Sequence, residues 1–152
     1  MMRNTNSILG KTVLALMLCG ILTTGVIGCD AGKMSESEIA TVNAVMDNLM
    51  QGIEEKNYEV FSRDFNEAMS AAFDENAFLA FAEDLTEKLG APQSREVTLS
   101  SKIQQQGEAI LSVVYEITYE KDPTPVKVTI QAQTKGDIVT LTGMSFDSPV
   151  LK

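Results

Sequence analysis

Asp64 stands between two aromatic residues in the stretch Phe61-Ser62-Arg63-Asp64-Phe65. A carboxylate that burial strips of water keeps its proton to higher pH, where it can act as a general acid or base. Asp64 is thus the candidate for catalysis, although Arg63 is adjacent, no second polar partner is identifiable, and a helix can turn Asp64 toward water. Other reactive groups are few. The chain has no histidine, so neither a Ser-His-Asp nor a Cys-His set can be built, nor a zinc site with imidazole ligands. Its two cysteines, Cys19 and Cys29, both lie near the start, which leaves the later chain without a thiol nucleophile, a disulfide or a thiolate metal site. The acids Glu54, Glu55, Glu83, Asp84 and Glu87 lack the spacing around a central glycine that a calcium loop requires, and they read as solvated faces. No metal and no cofactor is expected.

A second group of residues bears on binding. Tyr58, Phe61, Phe65, Tyr115 and Tyr119 can line a pocket for a small apolar ligand between helices and sheet, or they can simply fill the core. Exposure of Tyr115 or Tyr119 would favour the ligand.

Cys29 is the remaining reactive group, and its surroundings give it a role. Met1 to Lys11 is polar with two positive charges, Arg3 and Lys11; Thr12 to Leu22 is apolar except at Thr12 and Gly20; small and β-branched residues then lead to Gly28. This is the three-part layout of a secretory signal. A membrane helix over Thr12 to Ile27 is the alternative, at about the shortest length that spans a bilayer. The residues Val26-Ile27-Gly28-Cys29 resemble a lipobox, the motif of bacterial lipoprotein precursors, in which the cysteine is lipidated and becomes the new amino terminus. That resemblance implies a signal peptide over 1–28, a lipidated cysteine and tether over 29–34, and a location in the cell envelope. The membrane partner is then reached through lipid on Cys29, and several acyl chains on one residue anchor stably.

Charge agrees with the need for such an anchor. The chain has 12 Lys and Arg against 21 Asp and Glu, a net charge of −9. Arg3 and Lys11 fall in 1–28 with no acid, so the remainder carries ten bases against the 21 acids, or −11. Nucleic acid is excluded as a partner for want of clustered bases, and anionic head groups would repel the domain.

The elements that must position these residues change character halfway. Ser35-Glu36-Ser37-Glu38 has the capping-box form, and Ile39, Val42, Val45, Met46, Leu49, Met50 and Ile53 recur at the 3.6-residue period of an amphipathic helix ending near Lys56. Asn57 to Phe65 reads as a second helix, extended toward Met69. A third runs from about Asp74 to Leu89 and stops at Gly90. Beyond Pro92 the period becomes two: Val97, Leu99, Ser101 and Ile103, a turn at Gln104 to Gly107, then Ala109 to Tyr119. Asp122 to Pro125 is a loop. Val126 to Ala132 alternates again, Lys135-Gly136-Asp137 makes a hairpin, and the final strand changes parity between Leu141 and Met144, which predicts a bulge near Thr142-Gly143. Residues 35–152 are expected to form a single α+β domain, amino-terminal helices packed on a curved four-stranded antiparallel sheet.

This order, with Glu54 to Phe65, the ending Lys88-Leu89-Gly90 and the closing Gly143-Met144-Ser145-Phe146, resembles the nuclear-transport-factor-2-like, cystatin-like roll superfamily over residues 36–150. The resemblance implies a cone-shaped roll. It does not select a function, because such folds host enzymes, binders and assembly modules alike. The expectation is a membrane-anchored, non-catalytic module that binds a small apolar ligand or a protein partner. The alternatives are an isomerase-like enzyme using a buried carboxylate, as steroid-isomerising members of the superfamily do, and a subunit that forms a homodimer.

Overall fold

The computed structural model of the protein describes residues 31–105 and 108–151. Cys29, the signal segment 1–28 and part of the Gln104 to Gly107 turn lie outside the described residues. The capping box forms as its spacing requires. The Ser35 amide donates to Glu38 Oε2 at 2.8 Å and the Glu38 amide to Ser35 Oγ at 3.3 Å. Helix α1 (Glu36–Glu55) follows, and the stripe Val42, Val45, Met46, Leu49 and Ile53 is buried. It closes on Lys56, which adopts the left-handed conformation at φ 51°.

The single helix expected from Asn57 onward is instead two, α2 (Tyr58–Phe61) and α3 (Glu67–Ala72). The break has a cause in the sheet. Phe65 forms an isolated bridge to Leu141, the Asn66 amide donates to the Leu141 carbonyl at 3.1 Å, and the Asn66 side chain caps α3. An extended residue and a new cap cannot both sit inside one helix. Helix α4 (Glu75–Leu89) begins at the cap Asp74 and ends at Gly90, whose φ of 78° suits glycine.

A two-residue strand, β1 (Ala31–Gly32), precedes the helices, and four long strands follow: β2 (Pro92–Gln105), β3 (Glu108–Tyr119), β4 (Val126–Lys135) and β5 (Ile138–Asp147). They pair antiparallel in sequence order. The fold is α+β, with the helices ahead of an open antiparallel sheet. Ala31 pairs with Ile103 and Gly32 with Lys102, and Met34 is buried, so most of the segment expected to be a free tether is docked on the domain. Gly136 and Asp137 make the tight β4–β5 turn, with Gly136 at φ 61°.

The predicted bulge in β5 is present: Gln131 pairs with Gly143 and Ala132 with Leu141, leaving Thr142 unpaired in the ladder. It lets buried Leu141 and the partly buried Met144 and Phe146 serve one core despite their parity. An unpredicted bulge in β2 does the opposite. The register slips between Val97 and Leu99, so Arg95 and Val97 share the face of Ile117 and Tyr115, whereas Leu99, Ser101 and Ile103 stand on the other face. Leu99 is 63% exposed, and none of the described β2 side chains is buried. The alternation read there as a core face is therefore split between the two sides of the sheet. On the helix side β2 offers polar groups, which meet α1 through the ion pairs Arg95–Asp47 at 2.7 Å and Lys102–Glu38 at 2.8 Å. The core itself is built from α1, α4, Phe61 and the inward residues of β3 and β4.

Candidate functional site

Tyr119 ends the inward row of β3, which reads Leu111, Val113, Tyr115, Ile117 and Tyr119. Its ring is held where the carboxyl end of α1, the carboxyl end of α4 and the start of β2 converge. There it lines a pocket of about 150 Å³ with Met50, Ile53, Leu85, Ala91 and Pro92, while Glu54 and Lys56 stand exposed at the rim. That volume is roughly what one aromatic ring occupies. Tyr119 is 3% exposed and Tyr115 is fully buried, so neither shows the exposure that would favour ligand contact. The Tyr119 hydroxyl is the buried side-chain polar atom that finds no hydrogen-bond partner among the described residues. Burial pushes its ionisation up to about 12, so it stays a neutral donor and acceptor at any physiological pH. A buried hydroxyl left unpaired costs roughly 1–3 kcal/mol; this one has almost no surface open to water, so a ligand in the pocket meets it only if the wall shifts.

The pocket continues into a wider groove between α1 and β2. This groove, about 420 Å³, shares Met50 and Pro92 with the pocket and adds Asp47, Arg95 and Ile117. Arg95 lies 5.5 Å over the ring of Tyr115 and pairs with Asp47. With Gln93 and Ser94 also lining it, this groove is polar along the β2 side, and Arg95 rests its cation on an aromatic face beside a carboxylate.

The remaining residues singled out from sequence are placed elsewhere. Tyr115 is fully buried, and its hydroxyl donates to Asn43 Oδ1 at 2.8 Å, so it is a satisfied core residue. Phe61 is also buried, with ring centroids 4.5 Å from Phe78, 5.3 Å from Phe65 and 5.7 Å from Phe73. Tyr58 joins this cluster 5.8 Å from Phe78 and donates its hydroxyl to the Phe73 carbonyl at 2.7 Å. These aromatic rings fasten α2 and α3 onto α4 by edge and tilted contacts, and Phe73 also borders an opening of about 330 Å³ with Met69, Phe81, Met144 and Phe146. Asp64 is half-buried and turned toward α1, where Asn48 Nδ2 donates to it at 2.7 Å; Arg63 in turn donates to Asn48 Oδ1 at 3.2 Å. Its carboxylate ties the α2–α3 connection to α1. Among the acids, Asp84 pairs with Lys88 one turn on at 3.0 Å, and no group of three or more acidic or cysteine side chains is placed to share a metal among the described residues.

The sequence reading missed the pocket's walls, because Met50, Ile53 and Leu85 were indistinguishable from core, and it missed Gly52. A Cβ on Gly52 would lie 2.5 Å from the Phe61 amide nitrogen, so this glycine lets α2 cross α1 at backbone contact. Its signal was an isolated glycine inside an amphipathic helical pattern.

No protein-family model and no curated protein matches the chain. One solved structure of related form is that of Bdellovibrio bacteriovorus Bd1075, at a TM-score of 0.46 and 15% identity. The match covers 76% of this chain and 44% of that one, so the chain spans under half the length of that protein.

Proposed function

We propose that this protein is a lipoprotein of the cell envelope, held at a membrane by acyl chains on Cys29, whose domain is a non-catalytic module that binds a small apolar ligand. The pocket at Tyr119 carries the binding half of this reading: an apolar hollow of about one ring, with an unpaired neutral hydroxyl buried in its wall. Such a site fits an uncharged molecule of single-ring size with one hydroxyl or carbonyl. The resemblance to nuclear-transport-factor-2-like rolls supports the same reading, since those folds take apolar ligands between sheet and helices. The lipobox-like Val26-Ile27-Gly28-Cys29 supports the anchor, and among the described residues no helix is long and apolar enough to cross a membrane.

The binding half is tested by titrating the protein with 4-methylphenol and with toluene, which share a shape and differ by one hydroxyl. A hydrogen bond of about 1 kcal/mol gives 4-methylphenol a preference of roughly fivefold. Tyr119→Phe abolishes that preference and leaves toluene binding in place. Binding of neither molecule sinks the pocket reading. The anchor is tested separately by fatty-acid labelling, which Cys29→Ala should eliminate together with processing of the precursor.

One observation favours a second reading, a subunit that pairs with its own copy. Leu99 and Ile103 are exposed on the outer face of β2 beside the partly exposed Ile110 and Val114 of β3. Sedimentation equilibrium decides it: a monomer at tens of micromolar removes this reading, and a dimer that Leu99→Lys dissociates establishes it.

A further inference from the structure

The site of the lipid anchor relative to the fold fixes which end of the domain meets the membrane. Ala31 and Gly32 pair antiparallel with Ile103 and Lys102, near the carboxyl end of β2. Cys29 is two residues ahead of Ala31, so its Cα is within about 7.6 Å, the span of two virtual bonds of about 3.8 Å. A lipidated Cys29 must therefore lie close to the end of the sheet where β2 finishes, β3 begins at Glu108, and β4 turns into β5 through Lys135 to Ile138. That end also exposes Ile138, 67% accessible at the tip of the β4–β5 turn. The Tyr119 pocket is at the other end of the same sheet, by Pro92 and Gly90. Ten residues of β2 lie between Pro92 and Ile103, a distance on the order of 30 Å.

A short docked leader is a stiffer constraint than a flexible one. Were residues 30–34 a free tether, the domain would tumble above the bilayer and present every face in turn. Gly32 is paired into the sheet and Met34 is buried, so the described part of the leader is docked on the domain. Charge does not supply this orientation, because Glu108 and Asp137 stand at the same end as Lys102 and Lys135; the covalent attachment does.

We propose that the β4–β5 turn, Lys135 to Ile138, rests against the lipid head groups, with Ile138 in contact with the bilayer, while the Tyr119 pocket and the α1–β2 groove open away from it. This rests on the lipoprotein reading. It assigns the interaction surface a lipid partner and leaves the ligand site facing the aqueous phase of the envelope.

The experiment uses the full-length protein, processed by its host, with Cys19→Ser and a single added thiol at Ile138→Cys or Thr124→Cys. Each is labelled with an environment-sensitive fluorophore and reconstituted in phosphatidylcholine vesicles that contain head-group-proximal spin-labelled lipid. Position 138 is expected to be quenched several-fold more than position 124, which lies in the β3–β4 loop at the pocket end. Equal quenching, or stronger quenching at 124, overturns the orientation. The mass of the amino-terminal peptide separates the two layers. An acylated Cys29 with reversed quenching sinks the orientation alone, whereas an unacylated Cys29 sinks the anchor and the orientation together.

Discussion

Tyr119 and Gly52 show two ways in which a single residue is tuned against its own stability. The Tyr119 hydroxyl is buried without a partner, so replacing it with hydrogen removes a desolvation cost and keeps the ring. Tyr119→Phe is expected to stabilise the ligand-free protein by about 1 kcal/mol in urea unfolding, the reverse of what loss of a working core hydrogen bond would do. A loss of stability on that change would mean that the hydroxyl has a partner in solution. Gly52 is the opposite case. Glycine inside a helix costs about 1 kcal/mol relative to alanine, yet the added methyl would meet the Phe61 backbone at 2.5–2.6 Å. Backbone cannot swing aside like a flexible side chain, so Gly52→Ala should destabilise by roughly 3 kcal/mol and lower the urea midpoint accordingly. An unchanged midpoint would show that α2 is not seated on α1. Tyr119 was legible as an inward-facing aromatic from the alternation of β3. Its unpaired state was not, because no sequence pattern counts the partners of a buried hydroxyl. Gly52 was visible as a helix glycine, but its reason lies in a crossing that joins residues nine apart through a turn.

At the scale of elements, local chemistry specified what it could reach. The cap at Ser35, the stripe of α1, the start of α4 near Asp74, the stop at Gly90 and the β5 bulge were all readable, since each depends on residues within one or two turns of chain. The failures were tertiary. The Phe65–Leu141 bridge splits the expected second helix, and it joins residues 76 positions apart. The β2 bulge divides the apparent apolar face between the two sides of the sheet, because register is set by β3 rather than by the strand's own alternation. With Leu99 and Ile103 turned outward, β2 is held to α1 by polar contacts, and Glu38 is central to them. Lys102 beside Glu38, followed by the Ser35 backbone amide, lowers its pKa from 4.5 to about 2. A carboxylate with a depressed folded value contributes stability that is present above its unfolded value and lost as pH falls toward the folded one. Stability should therefore decline between pH 4.5 and about 2 through this group. In Glu38→Gln that part of the acid limb should vanish, with the variant less stable than the parent at pH 6 and nearly equal to it at pH 2. Parallel acid limbs in the two proteins would show that the Glu38–Lys102 contact is not formed.

The whole molecule must hold together an excess of negative charge around a modest core. The chain beyond residue 28 carries −11, and the four ion pairs of the described residues consume only a few of its 21 acids. Two consequences of salt then compete. Screening weakens the ion pairs, each worth at most about 1 kcal/mol where exposed, and it also weakens the mutual repulsion of the unpaired carboxylates. Two of the four pairs, Lys88–Asp84 and Lys135–Glu108, have a lysine more than a third exposed, so little is lost by screening them. Repulsion acts over the whole surface and grows with the square of the net charge, so it should win. Raising sodium chloride from about 10 mM to about 150 mM is therefore expected to raise Tm by about 3 °C, the size that a kcal/mol makes in a domain of this length. A fall in Tm would mean that the α1–β2 ion pairs contribute more than the surplus charge costs. The same surplus bears on the membrane: a domain that anionic head groups repel can rest on a bilayer only if a covalent anchor holds it there. The domain produced without residues 1–29, and so without acyl chains or the apolar segment, should not be retained on vesicles of any head-group charge, at low salt as well as high. Retention on anionic vesicles at low salt would require a basic surface that the composition of this chain does not supply.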